Sequence, residues 1–417
     1  MAAERTTLEK KLRKALARRA TVGTLRSLVP ADVDCIDFYS NDYLGLAKSA
    51  RLTALIASRR RDILERSRFL GTNGSTGSRL ISGNSEYFMQ VERELAAFYG
   101  SEAALLFNSG YSANVGVMSS LPQADDVVLF DELVHNSCHE GIRLSRAYAK
   151  NRAQSFRHND LSDLEQKLKA AARGIRGMHE KDSSDACIFV VVESVYSMDG
   201  DAAPLVQMTA LCERYGAFMI VDEAHGVGVY GPQGSGLVRA LGVERRSSIC
   251  CRVYTFGKAM GCHGAVVCGS ATMIDYLVNY ARSFIYTTAF PLEQLITVQC
   301  AHEVCAQADE ERARVLELVQ YFKRGVASSP LIPSSSLLDS DSPIQGVVFS
   351  GNHEVLDAAK AMLAMGIRVI PIRSPTVPRG SERFRIIIHA DNSEPQIDQL
   401  VAALAAMFQR RRPSARL

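Results

Sequence analysis

The sequence predicts an α/β protein: a large, mostly parallel sheet domain with helices on both faces, then a smaller C-terminal α/β domain. Strand-like runs at residues 104–107, 127–130, 188–193, 217–222 and 265–268 alternate with amphipathic stretches such as 161–172 and 205–214. Alternation of this kind is the mark of parallel strands joined by helical crossovers. The 417 residues, 47% hydrophobic and 22% charged, are enough for a large core and two domains.

Taken in order, residues 1–40 read as an N-terminal helical arm. Leu8, Leu12 and Leu16 share one face of its first helix. Glu4 and Glu9 interrupt its basic character, which favours a docking helix over a mitochondrial presequence. Residues 41–291 form the large domain. Ligands in such sheets sit at the carboxyl ends of strands, where Glu193 and Asp222 fall. A long helical stretch over 292–327 opens the second domain, 292–417. Its strand candidates are 344–349, 368–370 and 383–389, with helices at 354–365 and 395–409.

A net charge of +3 leaves no footprint for nucleic acid or an anionic membrane, and no apolar stretch approaches a membrane span. Ten cysteines are scattered without pairing pattern, as buried thiols are. His135 and His139 are four apart, but no further ligand cluster accompanies them, so no metal is expected. The chain ends Ala415-Arg416-Leu417, a small-basic-leucine variant of the peroxisomal address. A peroxisomal location, with an import receptor as partner, is therefore expected; otherwise the protein is cytoplasmic.

The chemistry centres on Lys258, within Thr255-Phe256-Gly257-Lys258-Ala259-Met260-Gly261, downstream of Val221-Asp222-Glu223-Ala224-His225-Gly226. A lysine among small residues after a strand-ending Asp suits pyridoxal 5'-phosphate (PLP). The amine can condense with the cofactor aldehyde, and the carboxylate can keep the pyridine nitrogen protonated. Asn108-Ser109-Gly110-Tyr111-Ser112 follows a strand and opens a helix, so backbone N–H groups can approach a phosphate. His135 can stack on the ring, His225 can reach the phenolic oxygen, and Thr255 can reach the phosphate. Singly each signal is weak: such a turn is usually only a turn, and Asp-Glu-Ala-His can simply cap a helix.

Further segments carry a resemblance. Ser40-Asn41-Asp42-Tyr43-Leu44-Gly45-Leu46, Gly74-Ser75-Thr76-Gly77-Ser78-Arg79, Glu193-Ser194-Val195-Tyr196-Ser197-Met198-Asp199-Gly200 and Ile372-Arg373-Ser374-Pro375-Thr376-Val377-Pro378 resemble the α-oxoamine synthases, fold-type I PLP-dependent transferases. These enzymes join an amino acid to an acyl-CoA with loss of CO2. The resemblance runs from about Leu8 to Met407. It implies that Lys258 carries the cofactor and moves the α-proton, with Asp222, His135 and His225 as its catalytic companions. It places Ser197 near the phenolic oxygen, and Gly110, Tyr111 and Thr255 at the phosphate. Thr288 would reach the phosphate of a partner subunit, because the family forms homodimers with sites at the interface. Asn41 and Arg385 would bind the amino-acid carboxylate, Arg26 and Arg373 would face the acyl-CoA, and Thr376 would bind substrate.

Within the family, Gly74–Arg79 and Ser82-Gly83-Asn84 look most like the biotin-pathway branch, which uses L-alanine and pimeloyl-CoA. Ser374 and Cys262-His263 depart from the family's usual residues and leave the acyl chain open. Alternatives are a synthase with another acyl donor, a PLP aminotransferase sharing the Asp222 and Lys258 logic, and a catalytically dead homologue.

Overall fold

The runs read as strands lie in two units of the computed structural model, which describes residues 7–28, 30, 34–66, 73–179 and 185–411. The larger unit is Asn41–Ser197 with Asp201–Val315. The smaller comprises the described residues of Met1–Ser40, Met198–Gly200 and Leu316–Leu417. The C-terminal tripeptide Ala415-Arg416-Leu417 lies outside the described residues.

In chain order the strands are β1 (Ile36–Asp37), β2 (Ala103–Phe107), β3 (Val127–Asp131), β4 (Ala153–Phe156), β5 (Ile188–Glu193) and β6 (Ala217–Asp222). They continue as β7 (Ile249–Thr255), β8 (Ala265–Gly269), β9 (Ile344–Val348), β10 (Ile367–Arg368), β11 (Ile370–Ile372) and β12 (Arg383–Ile387). The larger unit holds a seven-stranded sheet, β2-β8-β7-β6-β5-β3-β4. Only β8 runs against its neighbours β2 and β7; the other pairings are parallel. All six residues of β5, Ile-Phe-Val-Val-Val-Glu, are buried, as expected for a central strand covered on both faces. Helices Leu161–His179 and Leu205–Tyr215 lay Leu164, Leu168, Met208 and Leu211 into the core that also holds Val190, Val192, Met219 and Val221.

At their carboxyl ends β3, β5, β6 and β7 finish in Asp131, Glu193, Asp222 and Thr255, all buried. Polar residues sealed from water at strand ends must be satisfied by the protein or by a ligand.

The smaller unit pairs β11 and β9 antiparallel with β12, and β1 parallel with β10. Arg383 of β12 forms an ion pair with Asp199. Residues up to Ser40 are therefore not a separate arm: Ile36–Asp37 adds a strand beside Ile367–Arg368. Leu8, Leu12 and Leu16 of helix Thr7–Thr21 are exposed, so the expected docking face has no cover among the described residues.

Other expectations are corrected. The stretch 292–327 is two helices, Leu292–Ala306 and Asp309–Ser328, broken at Gln307 and Ala308. The first packs on helix Ala50–Arg66 of the larger unit, so the division falls between Val315 and Leu316 rather than near residue 292. The run 368–370 straddles two short strands, β10 and β11. β4 and β7 were not foreseen. β4 is a polar edge strand, Ala-Gln-Ser-Phe, and β7 has Arg252 in the middle of its apolar run. Arg252 is nonetheless buried, its guanidinium donating to Tyr99 O at 2.8 Å and Tyr254 Oη at 3.2 Å.

All ten cysteines are free thiols. Among the described residues no helix is long and apolar enough to cross a membrane.

Candidate active site

A cavity of about 260 Å³ opens at the carboxyl ends of the larger unit's strands. It gathers Asn41, Gly110, Tyr111 and His135 with Asp222, His225, Thr255 and Lys258. A larger cleft of about 790 Å³ opens by the other ends of the strands, beside Phe189, Phe218 and Ile249, and contains none of these residues.

Lys258 sits on the connection between β7 and β8. Phe256 N donates to Gly264 O (2.9 Å), Cys262 N to Phe256 O (2.9 Å) and Gly261 N to Lys258 O (2.8 Å), which brace the turn. Gly264 has φ of +119°, and a Cβ there would stand 2.6 Å from the Phe290 ring. A side chain at that position would therefore distort the turn. Lys258 Nζ lies 2.7 Å from His225 Nε2, and His225 Nδ1 lies 2.6 Å from Tyr43 Oη. Both imidazole nitrogens are thus engaged, which fixes the plane of the ring.

Asp222 receives a donor on each carboxylate oxygen. Ala224 N donates to Oδ1 at 2.9 Å and Asn114 Nδ2 to Oδ2 at 2.7 Å. Asn114 Nδ2 also donates to Ser137 Oγ at 3.0 Å, and that hydroxyl lies 2.7 Å from His135 Nδ1. His135 in turn caps helix Asn136–Leu144, its Nδ1 accepting from Ser137 N. Burial lowers the His135 pKa; Asp222 opposes this and Lys258 adds to it. The neutral ring is favoured, a flat surface suited to stacking. Glu193, in register with Asp222 on the adjacent strand, also lines the cavity. Its burial, and next the charge of Asp222, push its pKa well above the usual carboxyl range.

The opposite end of the cavity is built for an anion. Helix Gly110–Ser120 starts here, capped by Ser109 Oγ accepting from Ser112 N at 3.1 Å. The N–H groups of Gly110 and Tyr111, at the start of the helix, have no intrahelical acceptor and sit at its positive end. A Cβ on Gly110 would stand 2.3 Å from Thr255 Cγ2, so glycine allows the close approach.

Thr255 Oγ1, Asn114 Oδ1 and Glu193 Oε1 are buried with no hydrogen-bond partner, and all three residues line the cavity. Polar atoms left this way in a cavity are free to receive a ligand or water. The donor set fits PLP: a helix start and a hydroxyl for phosphate, a braced carboxylate for a ring nitrogen, and an amine for an aldehyde.

Other expected site residues are not among those lining this cavity. Ser197 is buried but off the cavity lining. Thr288 is exposed and likewise off the lining; its carbonyl accepts from Asn108 Nδ2 at 2.8 Å. Arg26, Arg373, Thr376 and Arg385 belong to the smaller unit. There Arg385 is buried on β12 and Thr376 is exposed. Arg373 donates to Gly23 O and, at 3.4 Å, to Leu25 O; burial and then the charge of Arg26 lower its pKa. Sequence reasoning did not assign Tyr43, Asn114 or Ser137 to the site, and it gave Glu193 no role there. The strand-end position of Glu193 was the signal that placed it near the ligand.

Residues 33–404 match the family model described as aminotransferase class I and II. The 8-amino-7-oxononanoate synthase of Emericella nidulans is 39% identical over 414 residues, covering 97% of this chain and 96% of that protein. The aminoacyl transferase sphA of Aspergillus fumigatus is 36% identical over 395 residues, 89% of this chain and 80% of that one. The structure of a serine palmitoyltransferase from S. paucimobilis, with bound PLP and myriocin, superposes with a TM-score of 0.82. It is 26% identical and covers 97% of this chain and 99% of its own.

Proposed function

We infer the reaction from the family: the chain belongs to the class I and II aminotransferases and, within them, to the α-oxoamine synthases, PLP-dependent acyltransferases. The proposed reaction is a decarboxylative condensation of L-alanine with pimeloyl-CoA, giving 8-amino-7-oxononanoate, CoA and CO2 in biotin synthesis. The Emericella nidulans relative supports it, being similar over nearly its whole length. In the condensation, the alanine Cα bonds to the thioester carbonyl carbon. The C–S bond breaks, releasing CoA, and the bond from Cα to the carboxylate breaks, releasing CO2.

The observation that carries the chemistry is the pairing of Lys258 Nζ with His225 Nε2 at 2.7 Å, in the cavity that Asp222 also lines. When bound, PLP supplies a pyridinium ring that takes up the electron pair left on Cα. Lys258 Nζ would anchor the cofactor and, as a free amine, would accept the proton from the alanine Cα and return one to it after CO2 leaves. Asp222, oriented by Asn114 and Ala224, holds the proton on the ring nitrogen. His225, gripped by Tyr43, keeps its Nε2 toward Lys258. His135 offers its ring face, and Thr255 with the Gly110–Tyr111 amides receives the phosphate. Arg385 and Asn41 bind the amino-acid carboxylate, a task for which a planar guanidinium suits because it grips two oxygens. Arg26 and Arg373 contact the acyl-CoA, and Thr376 binds substrate. Two copies assemble as a homodimer with sites at the interface, Thr288 serving the partner's phosphate. The Ala415-Arg416-Leu417 tail directs the protein to peroxisomes; deleting it should leave activity intact and move the protein to the cytosol.

Holoenzyme mixed with L-alanine and pimeloyl-CoA should release free thiol and 8-amino-7-oxononanoate. A second reading, another amino acid or acyl donor, is favoured by the likeness to the sphA transferase and to serine palmitoyltransferase. Thiol release with serine or glycine and a longer thioester, but not with alanine and pimeloyl-CoA, would select it.

A further inference from the structure

Helix Thr7–Thr21 has no part in the chemistry described so far, and none of its 15 residues is buried. Leu8, Leu12 and Leu16 are 62%, 53% and 54% exposed. At about 100° per residue they fall within an arc of roughly 80° on one face. Lys10, Lys11, Arg13, Lys14 and Arg18 occupy the rest of the circumference. The whole chain carries a net charge of only +3, but this helix sets six cations against Glu9, a net of +5. Just past its C-terminal end the chain is held within the smaller unit. Asn352 Nδ2 donates to Val22 O at 3.0 Å, and Arg373 donates to Gly23 O. Gly23 has φ of +67°, and a Cβ there would stand 3.1 Å from His353 Cε1. A helix of about 15 residues is marginal in water, because most helical stability comes from packing an amphipathic face. This one is tethered at its end and has its leucine stripe uncovered.

We propose that this helix docks on the surface of an anionic phospholipid bilayer. It lies along the surface with its leucines among the acyl chains and its lysines and arginines at the lipid phosphates. Leucine on one face and cations on the other is the arrangement such a contact requires. Each cation is drawn by the negative potential of the surface, and the long stems let charges flanking the leucines reach the headgroups. Arg19 alone falls within the leucine arc, at the last turn, where its side chain can turn outward. Other occupants fit less well. A nucleic acid would engage the cations but leave the leucines in water. A second copy meeting this one helix to helix would bring two basic faces together. The contact is peripheral, since among the described residues no helix is long and apolar enough to cross a membrane.

The test uses the full-length holoenzyme and two kinds of vesicle: phosphatidylcholine alone, and phosphatidylcholine with phosphatidylserine in equal parts. Co-sedimentation measures affinity. Wild type should bind the mixed vesicles at least about tenfold more tightly than the neutral ones, and high salt should erase the difference. Combining Leu8→Gln, Leu12→Gln and Leu16→Gln should weaken binding to mixed vesicles at least about tenfold. Lys10→Gln with Lys14→Gln should do the same. All these positions are exposed and glutamine suits a helix, so neither variant disturbs folding. Backbone hydrogen exchange across the helix should slow with mixed vesicles and stay unchanged with neutral ones. Absent or equal binding to the two vesicles would overturn the proposal, as would a leucine variant that binds like wild type. So would a leucine variant that light scattering shows falling from dimer to monomer, because the face then belongs to a second copy.

Discussion

Asn114 donates from Nδ2 to Asp222 Oδ2 at 2.7 Å, and from the same nitrogen to Ser137 Oγ at 3.0 Å. A single buried amide thus links the acid for the ring nitrogen to the hydroxyl that touches His135. Asn114→Ala should leave that Asp222 oxygen without its donor. A lost hydrogen bond to a charged group is worth about 1.5–3 kcal/mol, so PLP affinity should fall about tenfold or more. Asn114→Asp should be worse, because two carboxylates would then meet. Absorbance titration of apoprotein with PLP measures both.

Lys258→Ala should abolish covalent attachment of PLP while leaving it room to bind. Borohydride reduction followed by mass spectrometry should find a pyridoxyl group on Lys258 in wild type and none in the variant. Turnover should drop by at least about 10³-fold, since both anchor and base are lost. Labelling of another lysine would reject the assignment.

Gly110→Ala would push a methyl to within 2.3 Å of Thr255 Cγ2. The helix start and the threonine must then part, and the phosphate end loosens. PLP should dissociate about tenfold more readily, whereas the apoprotein's melting temperature should change little, because alanine suits a first helical turn. Parallel measurement of both quantities distinguishes a site effect from a folding defect.

His158 predicts a pH dependence away from the cavity. Its Nδ1 lies 3.0 Å from Asp131 Oδ1 and its Nε2 2.8 Å from Asp201 Oδ2. Burial alone would lower its pKa, but the hydrogen bonds and charges of both carboxylates outweigh it and raise the pKa from 6.5 to about 10. A raised folded pKa gives stability that is fully present below pH 6.5 and lost as pH climbs through about 10. His158→Ala should therefore destabilise by about 3 kcal/mol near pH 6, with the gap from wild type shrinking toward pH 10. Denaturant unfolding of both proteins across that range would show it; a constant gap would contradict it.

Much of this was legible in the residues. β5 and β6 announce themselves as unbroken apolar runs ending in Glu193 and Asp222, and their bounds match the expectation. Lys258, Asp222, His135 and His225 line one cavity, and each carries a chemically distinctive group at a strand end or turn. β7 escaped notice because Arg252 looks like a surface residue until the Tyr99 carbonyl that receives it is seen. Asn114 and Ser137 escaped for a related reason. An asparagine inside a helix reads as an exposed polar residue, and nothing local reveals an acid on a strand 108 residues away. The break at Gln307–Ala308 carries neither proline nor glycine. It therefore left no mark in the pattern, and the domain division was drawn too early.

The reversed strand β8 has one more consequence. It returns the chain directly beside β7, so Lys258 rides on a hairpin whose two legs, Thr255 and Ala265, are partners in the ladder. Asp222 occupies the next strand over. The spacing between anchor and acid is thereby inherited from the lattice of the sheet itself. Sequence drift in the long crossovers elsewhere can reshape what enters the cavity while this pair keeps its separation.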